Sequence, residues 1–205
     1  MSYQTLSLGL LGTNAYVLTK DNTHLIIDPG DEPERLSQEL SGDVAAIILT
    51  HAHWDHIGAV QPMLEQHESI PLYVHAHEES WLFDAAKNGS AKMGVPEVSI
   101  REGAPIHTLK QGKLSIGPFD FLVLETPGHS PGSCSFYWEE ENVVFAGDAL
   151  FKGSVGRTDL YGGNGEQLLQ SIQQQLLTLP KQTVVAPGHG PQTTIEEEMT
   201  TNPFL

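Results

Sequence analysis

Short apolar runs bounded by Gly, Pro or Asp recur along the chain and predict strands at residues 16–18, 25–27, 44–49, 119–124, 133–138, 143–146 and 184–186. An earlier apolar stretch, Leu6-Ser7-Leu8-Gly9-Leu10-Leu11, breaks at Gly12, Thr13 and Asn14 and reads as a first strand. Helices are expected at 32–40, 57–66, 78–86 and 166–179. The first follows Asp28-Pro29-Gly30 and carries Pro33 near its first turn, where a missing N–H costs nothing. The last sets Leu168, Leu169, Ile172, Leu176 and Leu177 on one stripe at helical spacing, which is how a helix faces a core. Strands mixed with helices predict an α/β protein of layered sheets with helices outside, although strand order is not legible. No linker, charge block or low-complexity tract divides the chain, so one domain over residues 1–205 is expected. Residues 153–165 read as a glycine-rich loop, and residues 193–205 as a polar tail that packs back on the domain.

Composition narrows the class. Ten Lys+Arg against 26 Asp+Glu give a formal net charge of −16. Such a surface repels phosphate backbones and anionic lipid heads, so a small-molecule substrate is expected rather than nucleic acid or membrane. The single cysteine, Cys134, excludes an internal disulfide and suits a reducing compartment. The N-terminal apolar stretch has no basic residue before it, unlike a signal peptide. No segment approaches the ~20 apolar residues of a spanning helix. A soluble cytoplasmic protein is the expectation.

The chemistry gathers where buried strands end. The run at 44–49 leads into Thr50-His51-Ala52-His53-Trp54-Asp55-His56, and that at 119–124 into Thr126-Pro127-Gly128-His129. The run at 143–146 leads into Gly147-Asp148, and that at 184–186 into Pro187-Gly188-His189. Glycine beside the last three lets the backbone turn sharply and a ligand approach closely. His51 and His53 are two apart, so an extended segment points both rings to one side. Asp55 and His56 then begin a helix. Imidazole and carboxylate suit Zn²⁺, and also Fe or Mn. Seven such groups exceed the needs of one tetrahedral ion, and two ions with a shared carboxylate fit the count. A lone His beside a strand is usually structural, but four ligand types within residues 51–56 and three more at strand ends make that reading a poor one.

Other signals carry less. Gly128-His129-Ser130-Pro131-Gly132 matches the nucleophile elbow of serine hydrolases, but that motif needs a helix after the turn and a strand is expected here. His75 and His77 have ligand-like spacing without an evident partner and read as surface or supporting residues. Cys134 lies between apolar positions with no basic neighbour to activate it.

The run His51-x-His53-x-Asp55-His56, with His129, Asp148 and His189, resembles the signature of the metallo-β-lactamase superfamily. That resemblance implies an αββα sandwich of two mixed sheets with outer helices. It also implies one ion held by His51, His53 and His129, a second by Asp55, His56 and His189, and Asp148 bridging. Asp55 and Asp148 are then the candidate catalytic residues, with two divalent ions as cofactors, Zn first and Fe or Mn as alternatives. Within the superfamily, Thr50-His51-Ala52-His53, Thr126-Pro127-Gly128-His129-Ser130-Pro131-Gly132-Ser133 and Gly147-Asp148-Ala149-Leu150-Phe151 resemble glyoxalase II. Residues 150–160 and the ending Thr201-Asn202-Pro203-Phe204-Leu205 resemble its compact bacterial relatives. Full-length glyoxalase II carries a C-terminal helical domain that supplies basic glutathione contacts, and only 16 residues follow His189 here. The expectation is a domain without that extension. Arg157 stands where the family has a basic glutathione contact, and Lys152 is a second candidate substrate contact. Asp159 stands near a position where glyoxalase II has a tyrosine.

The expected chemistry is hydrolytic. Water between two cations loses its proton near neutral pH and the hydroxide attacks a carbonyl carbon, whose oxyanion a cation stabilises. A thiolate leaves without acid help because a thiol's pKa is about 8.5, and no extra general acid is evident. That favours an acyl thioester such as S-lactoylglutathione. The alternatives are persulfide oxygenation by a single iron, and lactone or phosphodiester hydrolysis at the same centre.

Overall fold

The computed structural model describes residues 2–67, 70–101 and 103–205. The chain divides into two compact units, Met1–Leu109 with Ser115–Phe119, and Lys110–Leu114 with Asp120–Leu205. Among the described residues no helix is long and apolar enough to cross a membrane.

In the first unit, β1 (Ser2–Leu8), β2 (Thr13–Lys20), β3 (Thr23–Ile27), β4 (Asp43–Ile48), β5 (Leu72–His75) and β6 (Ile106–Leu109) form one sheet in sequence order. The sheet is mixed. β1, β2 and β3 pair antiparallel, whereas β3 through β6 run parallel. The first hairpin turns at Gly9–Gly12, inside the stretch read as one strand, because both glycines take positive φ; Thr13 and Asn14, read as the break, open β2 instead. Short helices lie between these strands, α1 (Pro33–Gln38) after β3, and α2 (Trp54–Ile57) and α3 (Val60–Gln66) after β4. The expected helix at 57–66 is therefore two pieces separated at Gly58. A Cβ there would stand 2.2 Å from the Gly30 carbonyl oxygen, so the backbones touch directly. The expected helix at 78–86 is a 3₁₀ turn at Glu79–Phe83 followed by α4 (Ala85–Asn88), capped by the Asp84 carboxylate. Leu36, Ile47, Leu49, Met63, Leu72 and Trp81 share the core of this unit.

The second sheet has the order β14-β13-β10-β9-β8-β7, from β7 (Gly112–Ile116), β8 (Phe119–Glu125), β9 (Cys134–Trp138), β10 (Val143–Gly147), β13 (Val184–Pro187) and β14 (Thr193–Thr194). It too is mixed: β10 and β13 are parallel, whereas β9 with β10, β8 with β9 and β13 with β14 pair antiparallel. A small hairpin pairs β11 (Leu150–Phe151) with β12 (Ser154–Val155), the second strand falling at the start of the segment 153–165 read as a loop. α5 (Gly165–Ser171) starts at Asn164, whose side chain accepts from the Gln167 N–H. It continues through a π turn at Ile172–Leu176, closed by Leu177 N–H donating to the Ile172 carbonyl. Leu168, Ile172 and Leu176, four apart, are its buried residues and join the core of this unit with Val144, Val185 and Ile195. The tail does pack back: α6 (Ile195–Thr201) begins at Thr194, which caps it, and buries Ile195 and Glu198.

Candidate metal centre

The first constellation grows from the parallel pairing of β3 and β4. Because those strands run side by side, the residues just past their ends are neighbours: Asp28 N–H donates to the Ile48 carbonyl, and Thr50 follows two residues on. Asp28 is buried and holds φ +50, a left-handed conformation that Asp and Asn tolerate better than most residues. Its carboxylate accepts from Thr50 N–H at 2.7 Å, from Thr50 Oγ1 at 2.5 Å and from His56 Nδ1 at 2.9 Å. The Thr50 hydroxyl has one proton, spent on Asp28, so its contact of 3.0 Å with His51 Nδ1 is a bond that the imidazole donates. Both rings thus carry N–H at Nδ1 and present the Nε2 lone pair, the form that binds a metal.

The His51 and His56 rings lie 4.1 Å apart, tilted at 52°, and His51 meets His53 edge-on at 4.8 Å. The buried Glu78 carboxylate receives the Ala52 N–H at 2.6 Å, fixing the backbone between them, and Trp81 lies against His53. Asp55 accepts from Thr13 Oγ1 at 2.9 Å, and its Oδ2 lies 3.5 Å from His56 Nε2. Asp28, His51 and His56 offer ligand atoms within 4.8 Å of one another. Three donors already occupy Asp28, so it orients the histidines rather than competing for a cation.

The second constellation follows from the parallel pairing of β10 and β13. Gly188 N–H donates to the Gly147 carbonyl at 2.8 Å, which sets Asp148 and His189 side by side. His129 comes from the turn after β8. Gly128 there has φ +139, and a Cβ on it would stand 2.3 Å from the backbone of Leu168 in α5. Only glycine fits. His129 Nδ1 lies 2.7 Å from the Arg157 carbonyl oxygen, which can only accept, so this ring also presents Nε2. Asp148 Oδ2 lies 3.5 Å from His129 Nε2 and 3.6 Å from His189 Nε2. These spacings exceed hydrogen bonds. They approach the separation of about 3.3–3.4 Å expected for two ligand atoms each 2.0–2.1 Å from one tetrahedral ion. The donor set therefore fits divalent metal, borderline nitrogen with hard oxygen, with hydrogen bonds fixing the tautomers of His51, His56 and His129.

Each of the seven expected ligands thus sits in one of two constellations, four in the first unit and three in the second. Asp28, Thr50 and Thr13 escaped the sequence reading. Arg157 is exposed and its guanidinium forks onto Asp159, Nε to Oδ1 at 2.7 Å and Nη2 to Oδ2 at 2.8 Å. That pair holds the Asp159 carboxyl down to about 2 and raises Arg157 further. Lys152 pairs with Glu197 at 3.1 Å. Ser130 shares its hydroxyl with Ser133 at 2.7 Å and a strand follows, as expected for a turn that is no nucleophile elbow. His75 and His77 touch edge-on at 4.7 Å on a partly exposed strand end.

A family model described as the metallo-beta-lactamase superfamily matches residues 8–189, a span that includes all seven ligands. The chain belongs to that superfamily. It is 46% identical to the probable metallo-hydrolase YqgX of Bacillus subtilis over 209 residues, covering 100% of this chain and 98% of that protein. It is 37% identical to the hydroxyacylglutathione hydrolase GloC of Haemophilus influenzae, covering 88% and 86%. Among solved structures, the B3 metallo-beta-lactamase BLEG-1 is 47% identical with a TM-score of 0.95, covering 100% and 99%. TTHA1623, solved in a di-iron-bound form, is 42% identical with a TM-score of 0.86, covering 98% and 100%. The expected fold is thus the observed one, two mixed sheets with helices as in the metallo-β-lactamase fold. The protein is a metallo-hydrolase of this superfamily.

Proposed function

We propose that the chain works as one metallo-β-lactamase-type domain that hydrolyses an acyl thioester of the S-lactoylglutathione kind at a dinuclear centre. His51, His53 and His129 hold one ion and Asp55, His56 and His189 the other, with Asp148 bridging. The ions are zinc first, with iron or manganese as alternatives; the di-iron form of TTHA1623 keeps iron in view. The observation that carries this reading is the Asp148 Oδ2, which stands 3.5 Å from the Nε2 of His129, whose proton the Arg157 carbonyl holds on Nδ1, and 3.6 Å from the Nε2 of His189. Bound cations supply a water ionised near neutral pH and Lewis-acid polarisation of a carbonyl.

The chain's own groups do the rest. Asp55, steadied by Thr13, and Asp148 orient the attacking water and hold its proton. A thiolate leaves without a dedicated acid. Arg157 is the contact for a substrate carboxylate, which must compete with Asp159, and Lys152 is a second contact. Support for the thioester comes from the similarity to GloC.

The test is thiol release from S-lactoylglutathione by metal-loaded protein. The expected result is turnover that Asp148→Asn abolishes; a wild-type rate no higher than that of the variant overturns the proposal. A second reading, opening of a β-lactam ring, rests on the 47% identity to BLEG-1. A chromogenic cephalosporin in the same assay separates the two.

A further inference from the structure

Glu198 is fully buried, in the middle of α6, and its carboxylate is saturated by donors. Thr193 Oγ1 donates to Oε1 at 2.6 Å, while Gly153 N–H and Asn202 Nδ2 donate to Oε2 at 2.9 and 2.7 Å. Asn202, one turn further along, also donates to the Ser154 carbonyl at 3.0 Å, and its Oδ1 accepts from Phe204 N–H. The two side chains therefore grip the tip of the β11–β12 hairpin from one side. A buried carboxylate is tolerated only when its oxygens are hydrogen-bonded, so this grip is specific rather than adhesive.

The gripped hairpin is too short to hold itself, with two residues in each strand. Its two ends lead straight into the metal ligands. Asp148 precedes it. Gly156 follows it, and there a Cβ would stand 1.8 Å from the Asp148 carbonyl oxygen and 3.3 Å from His129 Cβ. The next residue, Arg157, supplies the carbonyl that takes the His129 Nδ1 proton. Phe151, in β11, faces the His189 ring at 6.3 Å. The hairpin and the residues that flank it thus reach all three candidate ligands of the second constellation, and α6 holds the tip of that hairpin.

We propose that Glu198, with Asn202, is a positioning residue for His129, holding the Arg157 carbonyl where it selects the tautomer with a proton on Nδ1. The proposal rests on the reading of His129 as a metal ligand. Its readouts are the tautomer of His129 in metal-free protein, from imidazole nitrogen NMR shifts assigned with His129→Gln, and zinc affinity by competition with a chromophoric chelator. In Glu198→Ala the ring should populate both tautomers and zinc affinity should fall by about tenfold or more. Glu198→Gln should restore both, because its amide oxygen can receive Gly153 and Asn202 while the Thr193 hydroxyl turns to Glu197, 3.1 Å away. Asn202→Ala should move both readouts the same way by less, and stands in if Glu198→Ala does not fold. Ile195→Val, a core defect in the same helix, should lower the melting temperature and leave the tautomer alone. A single Nδ1–H tautomer in folded Glu198→Ala, or in Asn202→Ala if that variant alone folds, overturns the proposal. A shifted tautomer with unchanged zinc affinity upholds the positioning role and counts instead against His129 as a ligand.

Discussion

Asp28→Asn isolates the part played by one carboxylate. Asn accepts φ +50 as readily as Asp, so the backbone is not perturbed and only charge and one acceptor are lost. The native side chain accepts three bonds, from Thr50 N–H, Thr50 Oγ1 and His56 Nδ1. An amide that keeps its oxygen toward Thr50 N–H turns its NH₂ toward the other two, and both must then become acceptors. His56 would have to carry its proton on Nε2. The Thr50 hydroxyl would redirect its proton to His51 Nδ1, 3.0 Å away, forcing that ring's proton to Nε2 as well. Metal binding must reverse both shifts. Loss of such an orienting partner costs about 10–100-fold in metal affinity, or about 1.4–2.7 kcal/mol. Zinc competition with a chromophoric chelator, paired with thermal melts of the metal-free protein, measures it. An affinity within about twofold of wild type, in a variant shown to be folded, would refute the assignment of Asp28 as an orienting group.

Three further outcomes are expected. Gly156→Ala forces a Cβ to within 1.8 Å of the Asp148 carbonyl oxygen, so unfolding in urea should show a loss of about 1–3 kcal/mol; an unchanged midpoint would contradict the contact. Asp159→Ala frees the Arg157 fork, so KM for S-lactoylglutathione should fall severalfold with kcat unchanged, and above pH 4 the effect should not vary with Asp159 titration because its carboxyl sits at about 2. Equal KM values would remove Arg157 from the substrate site. His24 is buried, and burial lowers its pKa while its Nε2 accepts the Ser41 N–H at 3.1 Å. The unfolded chain binds that proton more readily, so this stabilisation is present above the ordinary pKa of 6.5 and is lost as pH falls below it. Melting temperatures of His24→Gln should show a shallower decline on acidification than wild type; parallel curves would exclude His24.

The candidate ligands were legible as candidates because they stand in sequence immediately past apolar runs, where residue type and strand end coincide. Asp28 was not, since Asp-Pro-Gly reads as a turn and its role depends on β3 lying parallel to β4, a pairing that no local pattern encodes. β5, β6 and β7 were missed for a related reason: each is only four or five residues long, and β6 and β7 bury a single residue each, at their last position. The helix expected at 78–86 owes its Trp81 and Leu82 spacing to a 3₁₀ turn, which short windows cannot distinguish from α. The hairpin at 150–155, which runs into the segment read as a loop, is held by Glu198 and Asn202, some 45 residues away, and so had no signature of its own.

Gly128 meets the Leu168 backbone with no side chain between them, while Ser171 Oγ bonds the Pro127 carbonyl and Asn164 N–H the Gly128 carbonyl. The loop that carries His129 therefore has no cushion against α5. A vacancy opened under that helix, at Leu168 or Ile172, would be transmitted as a displaced imidazole instead of being absorbed by rotamer adjustment. With His129 as the ligand proposed above, thermal robustness and cation retention in this half of the protein would be mechanically the same property, and selection for either would drag the other with it.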